Sequence, residues 1–235
     1  MPSHLPPGQH ERADFPRFGL TPFKDRFPQQ TTRRELLVTG DVTHEVQVAD
    51  VFEGLPRVEQ TSDFHCVTTW SRRGLRWGGV RFADFHAEVV VPRAAPADAA
   101  RFVILRGQDG ARTCMLLDDL LAPDVLLVDT LDGEPLPVAH GAPLRLVAPA
   151  HYGYKSVKAL CRLEYRHDER SFRPNVFRFM DHLRARVMFE ERGRGVPGVL
   201  LRYLYRPLIA STVAQFAESM RAHASRPTGG RGAAD

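Results

Sequence analysis

The sequence predicts an α+β fold of many short strands and short helices, followed by a helical extension. Short runs of β-branched and aliphatic residues that end near Gly, Pro or Asp recur from residue 35 to residue 165. Longer stretches with helical spacing come only after residue 178. A chain of 235 residues, 43% of them hydrophobic, can bury a large core without cross-links. Together these observations favour one main domain with extensions.

The first third of the chain is predicted to contain an arm, two strands and one helix. Residues 1–30 are rich in proline and aromatic residues without periodicity, which indicates an irregular arm. Residues 35–42 are predicted to form a strand that ends in a Gly-Asp turn, and residues 58–67 are strand-like up to the first cysteine. Residues 48–55 suit a short helix that Pro56 ends.

The middle of the chain is predicted to be mostly β. Residues 70–80 contain three glycines and two tryptophans and are expected to form a loop. Residues 83–91 suit either a helix or a strand, because short apolar runs do not separate the two. Five further strands are expected, with one helical turn at residues 118–122: residues 101–106, 112–117, 125–130, 143–149 and 159–165.

The C-terminal part is predicted to be helical. Residues 179–191 and 198–221 have helical spacing, and one face of the second stretch carries Leu201, Leu204, Tyr205 and Leu208. The expected organisation is an arm (1–30), an α+β domain (31–170), a helical extension (171–221) and a disordered tail (222–235).

The charge of the chain is uneven. The 32 basic residues include only three lysines, and residues 162–235 carry 14 basic and 8 acidic residues. A basic C-terminal third could bind nucleic acid or an anionic surface. Its arginines are interspersed with Glu190, Glu191 and apolar residues, however, as on a solvated helical face, and no nucleic-acid motif accompanies them.

Several classes of protein are excluded by the sequence. No apolar run approaches the roughly 18–20 residues of a membrane span. The first residues carry no basic segment followed by an apolar one, so we expect a cytoplasmic location. Three distant cysteines argue against a disulfide framework, and no CxxC or HxxxH pair suggests zinc. The absence of a GxSxG elbow disfavours covalent hydrolysis.

Cys66 is the first candidate for chemistry. It follows His65 and precedes three arginines, whose positive charge would favour the metal-binding thiolate form: Arg72, Arg73 and Arg76. The alternative is a buried cysteine that packs as a small hydrophobic residue. That alternative is favoured for Cys114 and Cys161, which lie within apolar strands.

A basic, glycine-containing region is the second candidate. Gly141 and Gly153 permit close approach of a ligand to the backbone, and nearby lie His140, Arg145, Lys155, Ser156 and Lys158. Such cations, a hydroxyl and backbone N–H groups could hold a phosphate. The alternative is a set of surface charges on turns. Neither a Walker loop nor a GxGxxG motif is present.

Five segments in order resemble one known family: residues 64–71 (FHCVTTWS), 77–80 (WGGV), 132–136 (DGEPL), 140–147 (HGAPLRLV) and 152–158 (YGYKSVK). They are similar to the sulfite-oxidase-type molybdopterin domain. The similarity is greatest to its bacterial branch, which contains the catalytic subunit of periplasmic protein-methionine-sulfoxide reductase. The resemblance covers roughly residues 15–170.

The resemblance implies a cofactor site. Cys66 matches the one protein thiolate that binds molybdenum, in a sulfite-oxidase-like molybdopterin-binding fold. His140 and Arg145 match positions that contact the cofactor, and Lys155, Ser156, Val157 and Lys158 match the segment around its terminal phosphate. Arg17, Phe18 and Gly19 align with further pterin contacts in the arm. One molybdenum cofactor per chain is implied.

The resemblance also implies oxygen-atom transfer at molybdenum, with a small-molecule substrate and an electron-transfer partner. Candidates for the substrate funnel are Trp70, Arg72, Arg73, Trp77 and His151. The arginine pair that follows the ligand cysteine in sulfite oxidases is displaced here, and their dimerisation domain is absent. We therefore expect a monomer acting on an S-oxide, an N-oxide or a small oxyanion. The rivals are a non-catalytic binding module of this fold and a basic nucleic-acid-binding protein.

Overall fold

The computed structural model describes residues 4–225 and contains two β-sheets. The six strands of the larger sheet are β1 (His10–Glu11), β4 (Val58–His65), β5 (Trp70–Arg81), β8 (Leu126–Leu131), β9 (Glu134–Pro135) and β10 (Arg145–Val147). They lie in the order β1-β5-β8-β10, while β4 also pairs with β5 and β9 with β8. Only the β1–β5 pair is parallel in this sheet.

The strands of the smaller sheet are β2 (Leu36–Gly40), β3 (Val46–Val48), β6 (Phe102–Gly107), β7 (Arg112–Leu116) and β11 (Leu160–Arg166). They lie in the order β3-β2-β11-β6-β7, and the β2–β11 pair is parallel. The helices are α1 (Phe82–Phe85), α2 (Val91–Ala94), α3 (Leu117–Leu120), α4 (Gly198–Tyr205) and α5 (Leu208–Ala224), with a π-helical segment (His86–Val90) joining α1 to α2.

One large apolar core joins the two sheets. It combines aliphatic side chains of both sheets with Phe82 and Phe85 of the α1–α2 segment. A second, smaller core lies under the larger sheet around Trp77, which is 1% exposed. Burial of this apolar surface is the main contribution to the stability of the domain. The predicted α+β class is confirmed, because two largely antiparallel sheets are combined with a few short helices.

The five strands predicted after residue 100 are confirmed to within a few residues, whereas residues 70–80 were wrongly predicted as a loop. They form β5, which with 12 residues is the longest strand. Its glycines are needed for packing: a Cβ at Gly79 would lie 2.0 Å from the carbonyl oxygen of Leu127 in β8. Residues 48–55 are turns after β3 rather than a helix, and residues 83–91 are helical.

The C-terminal segment is less helical than predicted. Residues 179–191 contain only 3-10 turns at Arg178–Met180 and Val187–Phe189, and Pro207 separates α4 from α5. Leu201 and Tyr205 are buried as one face of α4. Leu204 and Leu208, predicted on the same face, are 58% and 49% exposed.

The predicted disordered tail begins too early, since α5 continues to Ala224; the rest of it, residues 226–235, lies outside the described residues. Among residues 4–30, the regular elements are β1 and the 3-10 turn Thr21–Phe23. Between residues 4 and 225, no helix combines the length and the apolar character needed to span a bilayer.

Candidate functional site

Cys66 begins a tight turn between β4 and β5, and we call residues 66–69 the cysteine turn. The N–H of Cys66 donates to the carbonyl of Trp70 (2.8 Å), and the N–H of Thr69 donates to the carbonyl of Cys66 (3.1 Å). Thr69 has a φ of 81°, an uncommon conformation for a β-branched residue. The backbone around Cys66 is therefore closely constrained.

The Cys66 thiol is buried, with 8% of the residue exposed, and its sulfur lies 3.1 Å from Oγ1 of Thr68. Burial raises the pKa of the Cys66 thiol, while the Thr68 hydroxyl and the charges of Lys158 and Arg192 act in the opposite direction. The thiolate is the form that binds metals. A metal at this sulfur would thus displace a proton, and two nearby cations favour that exchange.

Arg145 is a fully buried cation on β10. One terminal nitrogen donates to the carbonyl of His140 (3.0 Å), whereas Nε and Nη2 have no hydrogen-bond partner. Its guanidinium carbon lies 5.1 Å from the ring of Trp77 and 5.2 Å from that of Phe64. Burial lowers the pKa of Arg145 to about 9, so it remains charged at neutral pH. Within residues 4–225 no carboxylate neutralises it.

His140 precedes Arg145 in a 3-10 turn and stacks on Phe15 of the arm, with ring centroids 4.2 Å apart. Its Nδ1 is buried without a partner. Burial lowers the pKa of His140 to about 3, and the charges of Lys158 and Arg145 add to the effect. The ring is therefore neutral at physiological pH and can offer either a donor or an acceptor to a ligand.

Lys158 supplies a second cation beside Arg145. Its Nζ donates to the carbonyl of Phe18 (3.1 Å), and burial, followed by the charges of Arg145 and Arg17, lowers its pKa to about 7. The preceding residues attach this segment to β10: Val157 accepts a backbone hydrogen bond from Leu146 (3.0 Å). The structure thus brings together His140, Arg145 and Lys158.

Lys155 is predicted to lie beside the phosphate of the cofactor, with the other cations of its segment, but its side chain takes a different direction. Its Nζ donates to the carbonyl of Cys114 in β7 (2.7 Å) and lies 3.7 Å from the carboxylate of Asp181. Ser156 is also engaged locally, because its hydroxyl accepts the N–H of Ala148 (3.1 Å). The ammonium of Lys155 therefore compensates Asp181 and does not join the cations beside Cys66.

The arm residues that are predicted to contact the pterin make the following contacts within the protein. Arg17 donates to the carbonyls of Lys24 (2.6 Å) and Arg26 (2.7 Å), so its guanidinium closes the arm on itself. Phe18 offers its carbonyl to Lys158 and its ring to Trp70, at 5.6 Å between centroids. Gly19 packs against α5, where an added Cβ would lie 3.4 Å from the ring of Phe216.

Of the residues predicted to form a substrate funnel, Trp70 alone lines the open cleft beside the cysteine turn. This cleft has a volume of about 210 Å³ and is bordered by residues 10–12, which include Glu11 and Arg12, and by Thr69, Trp70, Arg206 and Ile209. Arg72 is half-exposed and Arg73 lies 3.7 Å from the carboxylates of Glu11 and Asp63. The ring of Trp77 is buried beside Arg145.

His151 is buried as well, and its Nδ1 donates to the carbonyl of Arg184. Burial lowers the pKa of His151. Three residues of the site were not anticipated from the sequence: Gln9, Phe15 and Arg192. They lie in the arm and in the C-terminal segment, where no motif marked them. The aromatic composition of the arm was a general sign that it packs on the domain.

The residues present fit a sulfur-bound metal with an anionic cofactor. A single buried thiol offers a soft ligand, and a buried guanidinium with two unpaired nitrogens is suited to a phosphate. A buried charge without a partner is costly, so a site of this kind is completed by an anion. Molybdopterin carries both the dithiolene sulfurs and the phosphate that these groups would meet.

The fold and the site together define a molybdenum-cofactor oxidoreductase. The family described as "oxidoreductase molybdopterin binding domain" matches residues 25–173, and the chain belongs to this family. Its sequence is 36% identical over 164 residues to the "uncharacterized oxidoreductase YuiH" of Bacillus subtilis (strain 168). That alignment covers 68% of this chain and 78% of the Bacillus protein.

Further relatives and one solved structure are more distant. The "protein-methionine-sulfoxide reductase catalytic subunit MsrP" of Xanthomonas campestris is 29% identical over 178 residues, 64% of this chain and 53% of that protein. The chain therefore spans about half the length of that relative. The sulfane dehydrogenase SoxCD from Paracoccus pantotrophus superposes with a TM-score of 0.49 at 19% identity, over 57% of this chain and 38% of the other.

Proposed function

We propose that this protein catalyses two-electron oxygen-atom transfer at a molybdenum that Cys66 ligates. The observation that carries the proposal is a buried thiol whose thiolate form Lys158 favours, together with Arg145, a fully buried cation beside Lys158 that forms no ion pair with a carboxylate among residues 4–225. Membership of the molybdopterin-binding family supports the cofactor. When bound, the cofactor supplies the oxygen-atom and electron chemistry, and the protein binds and tunes it.

The protein groups have separate roles in this proposal. Cys66 gives up its proton and donates its sulfur, with the charges of Lys158 and Arg192 favouring the thiolate. Arg145, through its two unpaired nitrogens, and Lys158, through its ammonium, would bind the phosphate of the cofactor. The neutral ring of His140 would contact the pterin. Ser156 and Val157 shape the backbone that joins the phosphate segment to β10.

The substrate is proposed to enter through the cleft beside Thr69 and Trp70. The cleft combines apolar surface from Trp70 and Ile209 with the guanidinium of Arg206, which suits a small polar oxide. An S-oxide is supported by the similarity to the Xanthomonas protein-methionine-sulfoxide reductase subunit, and an N-oxide or a small oxyanion is chemically similar. An electron-transfer partner completes the cycle. A cytoplasmic location remains a prediction.

An activity screen tests this proposal. The protein, made with molybdate in a host that synthesises the cofactor, should contain about one molybdenum per chain. It should oxidise a reduced viologen dye in the presence of an S-oxide or N-oxide, or reduce an oxidised dye with sulfite. Cys66→Ala should abolish turnover, whereas Cys114→Ala should retain it. Bound molybdenum without turnover of any of these substrates would favour the non-catalytic binding module instead.

A further inference from the structure

The cysteine turn is held from one side by Gln9 of the N-terminal arm. The Gln9 amide nitrogen donates to the carbonyl of Cys66 (3.2 Å), and its amide oxygen accepts the hydroxyl of Ser71 (2.9 Å). Ser71 in turn lies 2.7 Å from Nδ1 of His65. All of these side chains are buried, so each hydrogen bond has no competition from water. The arm thus contacts the first residue of the turn and a residue of β5 just beyond it.

Arg192 of the C-terminal segment is the second side chain that holds the turn. Its side chain is fully buried and donates to the carbonyl of Val67, the residue after Cys66. The second terminal nitrogen reaches the carbonyls of Pro7 (3.4 Å) and Gly8 (3.3 Å) in the arm. One guanidinium therefore joins the cysteine turn to the arm, which a forked side chain can do and a lysine cannot.

Arg192 is itself fixed in place. Its Nε lies 3.3 Å from a carboxylate oxygen of Glu190, which also accepts hydrogen bonds from Arg202 of α4. The guanidinium carbon stands 4.8 Å from the ring centroid of Tyr152. Gly8 permits this packing, because a Cβ there would lie 2.6 Å from the Glu190 carboxylate.

We propose that Gln9 and Arg192 are positioning residues that together hold Cys66 in its ligating conformation. Both lie outside residues 25–173, the part of the chain that matches the family, so the flanking segments contribute to the metal-ligand geometry of this protein. The inference rests on the proposed function only where it names Cys66 as the ligand. How firmly Gln9 and Arg192 hold the cysteine turn can be measured in protein that contains no metal.

The test is the rate at which iodoacetamide alkylates Cys66 in cofactor-free protein, with each modified cysteine identified by peptide mass spectrometry. The variants are Arg192→Ala, Arg192→Lys and Gln9→Met, of which the last two preserve charge or volume. Arg194→Ala is the matched control, because Arg194, two residues further on, binds the Glu169 carboxylate and the backbone carbonyl of Asp181 and has no hydrogen bond to the turn. Cys114, buried in β7, reports global unfolding within each sample.

We expect Gln9→Met and the charge-preserving Arg192→Lys to alkylate Cys66 about tenfold faster or more than the wild type, because each loses a hydrogen bond that holds the turn. Arg192→Ala should also be faster, but by less, because it loses a charge that favours the reactive thiolate. Alkylation of Cys114 should not change, and Arg194→Ala should resemble the wild type at Cys66. Equal alkylation rates at Cys66 in the variants and the wild type would overturn the proposal. So would an acceleration that Cys114 or the control variant shares. Failure of the proposed function would appear separately, as wild-type protein without molybdenum.

Discussion

Arg145 and Lys158 are the residues whose environment most clearly indicates a ligand. Burial lowers the pKa of Lys158 to about 7, and the nearby charge of Arg145 adds to this shift. No carboxylate among residues 4–225 pairs with Arg145. Folding must therefore bury positive charge without compensation unless an anion binds. These side chains are costly to the folded protein and favourable to its complex with a phosphate.

Replacement of Lys158 by Met should stabilise the cofactor-free protein and weaken cofactor retention. The pKa of Lys158 is about 7 when folded, against an ordinary value of 10.5. Between these pH values the unfolded chain binds more protons at this position, so wild-type stability rises with pH. In urea unfolding, Lys158→Met should exceed the wild type by about 1–2 kcal/mol at pH 7, and by less at pH 9.5.

The same variant should contain less molybdenum when it is made in a cofactor-competent host. Arg162→Met, at an exposed position on β11, is the control and should alter neither property. If Lys158→Met were less stable at pH 7 and kept its molybdenum, the ammonium would be a structural group and not a phosphate ligand.

Sequence order located much of the site at the residue scale but not all of it. Cys66, His140, Arg145 and Lys158 follow one another in a recognisable series, and the fold places the last three close together. Lys155 belongs to the same motif, yet its side chain leaves toward Cys114 and Asp181. Which side of a turn a side chain takes depends on distant partners, and no local pattern reports it.

Strand β5 shows the limit of composition at the element scale. Three glycines and two tryptophans in residues 70–80 indicated a loop. In the structure Gly78 and Gly79 let β5 approach β8, while Trp77 fills the smaller core. Glycine in a strand often marks a bulge or the close approach of another backbone, and the β5–β8 register shifts between Gly78 and Gly79. Only the partner strand distinguishes such a strand from a loop.

Gly79→Ala should therefore destabilise the protein strongly. The new Cβ would meet the carbonyl of Leu127 at 2.0 Å and the Cα of Val128 at 2.7 Å, and backbone atoms cannot move aside without breaking the β5–β8 pairing. We expect a loss of roughly 2–4 kcal/mol in the free energy of unfolding, measured by urea denaturation.

Gly78→Ala is the adjacent comparison. Its Cβ would meet only the side chain of Thr130, which can rotate, so the loss should be smaller than at Gly79. Equal stability of Gly79→Ala and the wild type would show that β5 and β8 are not paired as described.

At the scale of the whole molecule, the α+β class follows from the alternation of short strands and turns, and the structure confirms it. The contribution of the flanking segments does not follow from that pattern. Gln9 and Arg192 meet at the cysteine turn although they are far apart in the chain. The C-terminal periodicity also overstated helix, because residues 179–191 pack as turns against Ala150 and Tyr152.

Helix α4 bears an exposed apolar face of Val199, Leu200, Tyr203 and Leu204. Such a face raises the question of self-association. A twofold contact across α4 would bring copies of the exposed Arg206 together, and no acidic residue lies between Arg192 and Ala217 to offset them. Light scattering after size exclusion should thus give a mass near 26.4 kDa, unchanged in Leu204→Asp. A dimer that Leu204→Asp dissociates would contradict the prediction.

The central claim is that Cys66 is the protein's ligand to molybdenum. X-ray absorption at the molybdenum edge counts the sulfur atoms bound to the metal. In the cofactor-loaded wild type this count should include the two dithiolene sulfurs and one more, and Cys66→Ser should lose one sulfur while Cys114→Ser keeps all of them. An unchanged sulfur count in Cys66→Ser, or wild-type protein without molybdenum, would contradict the account.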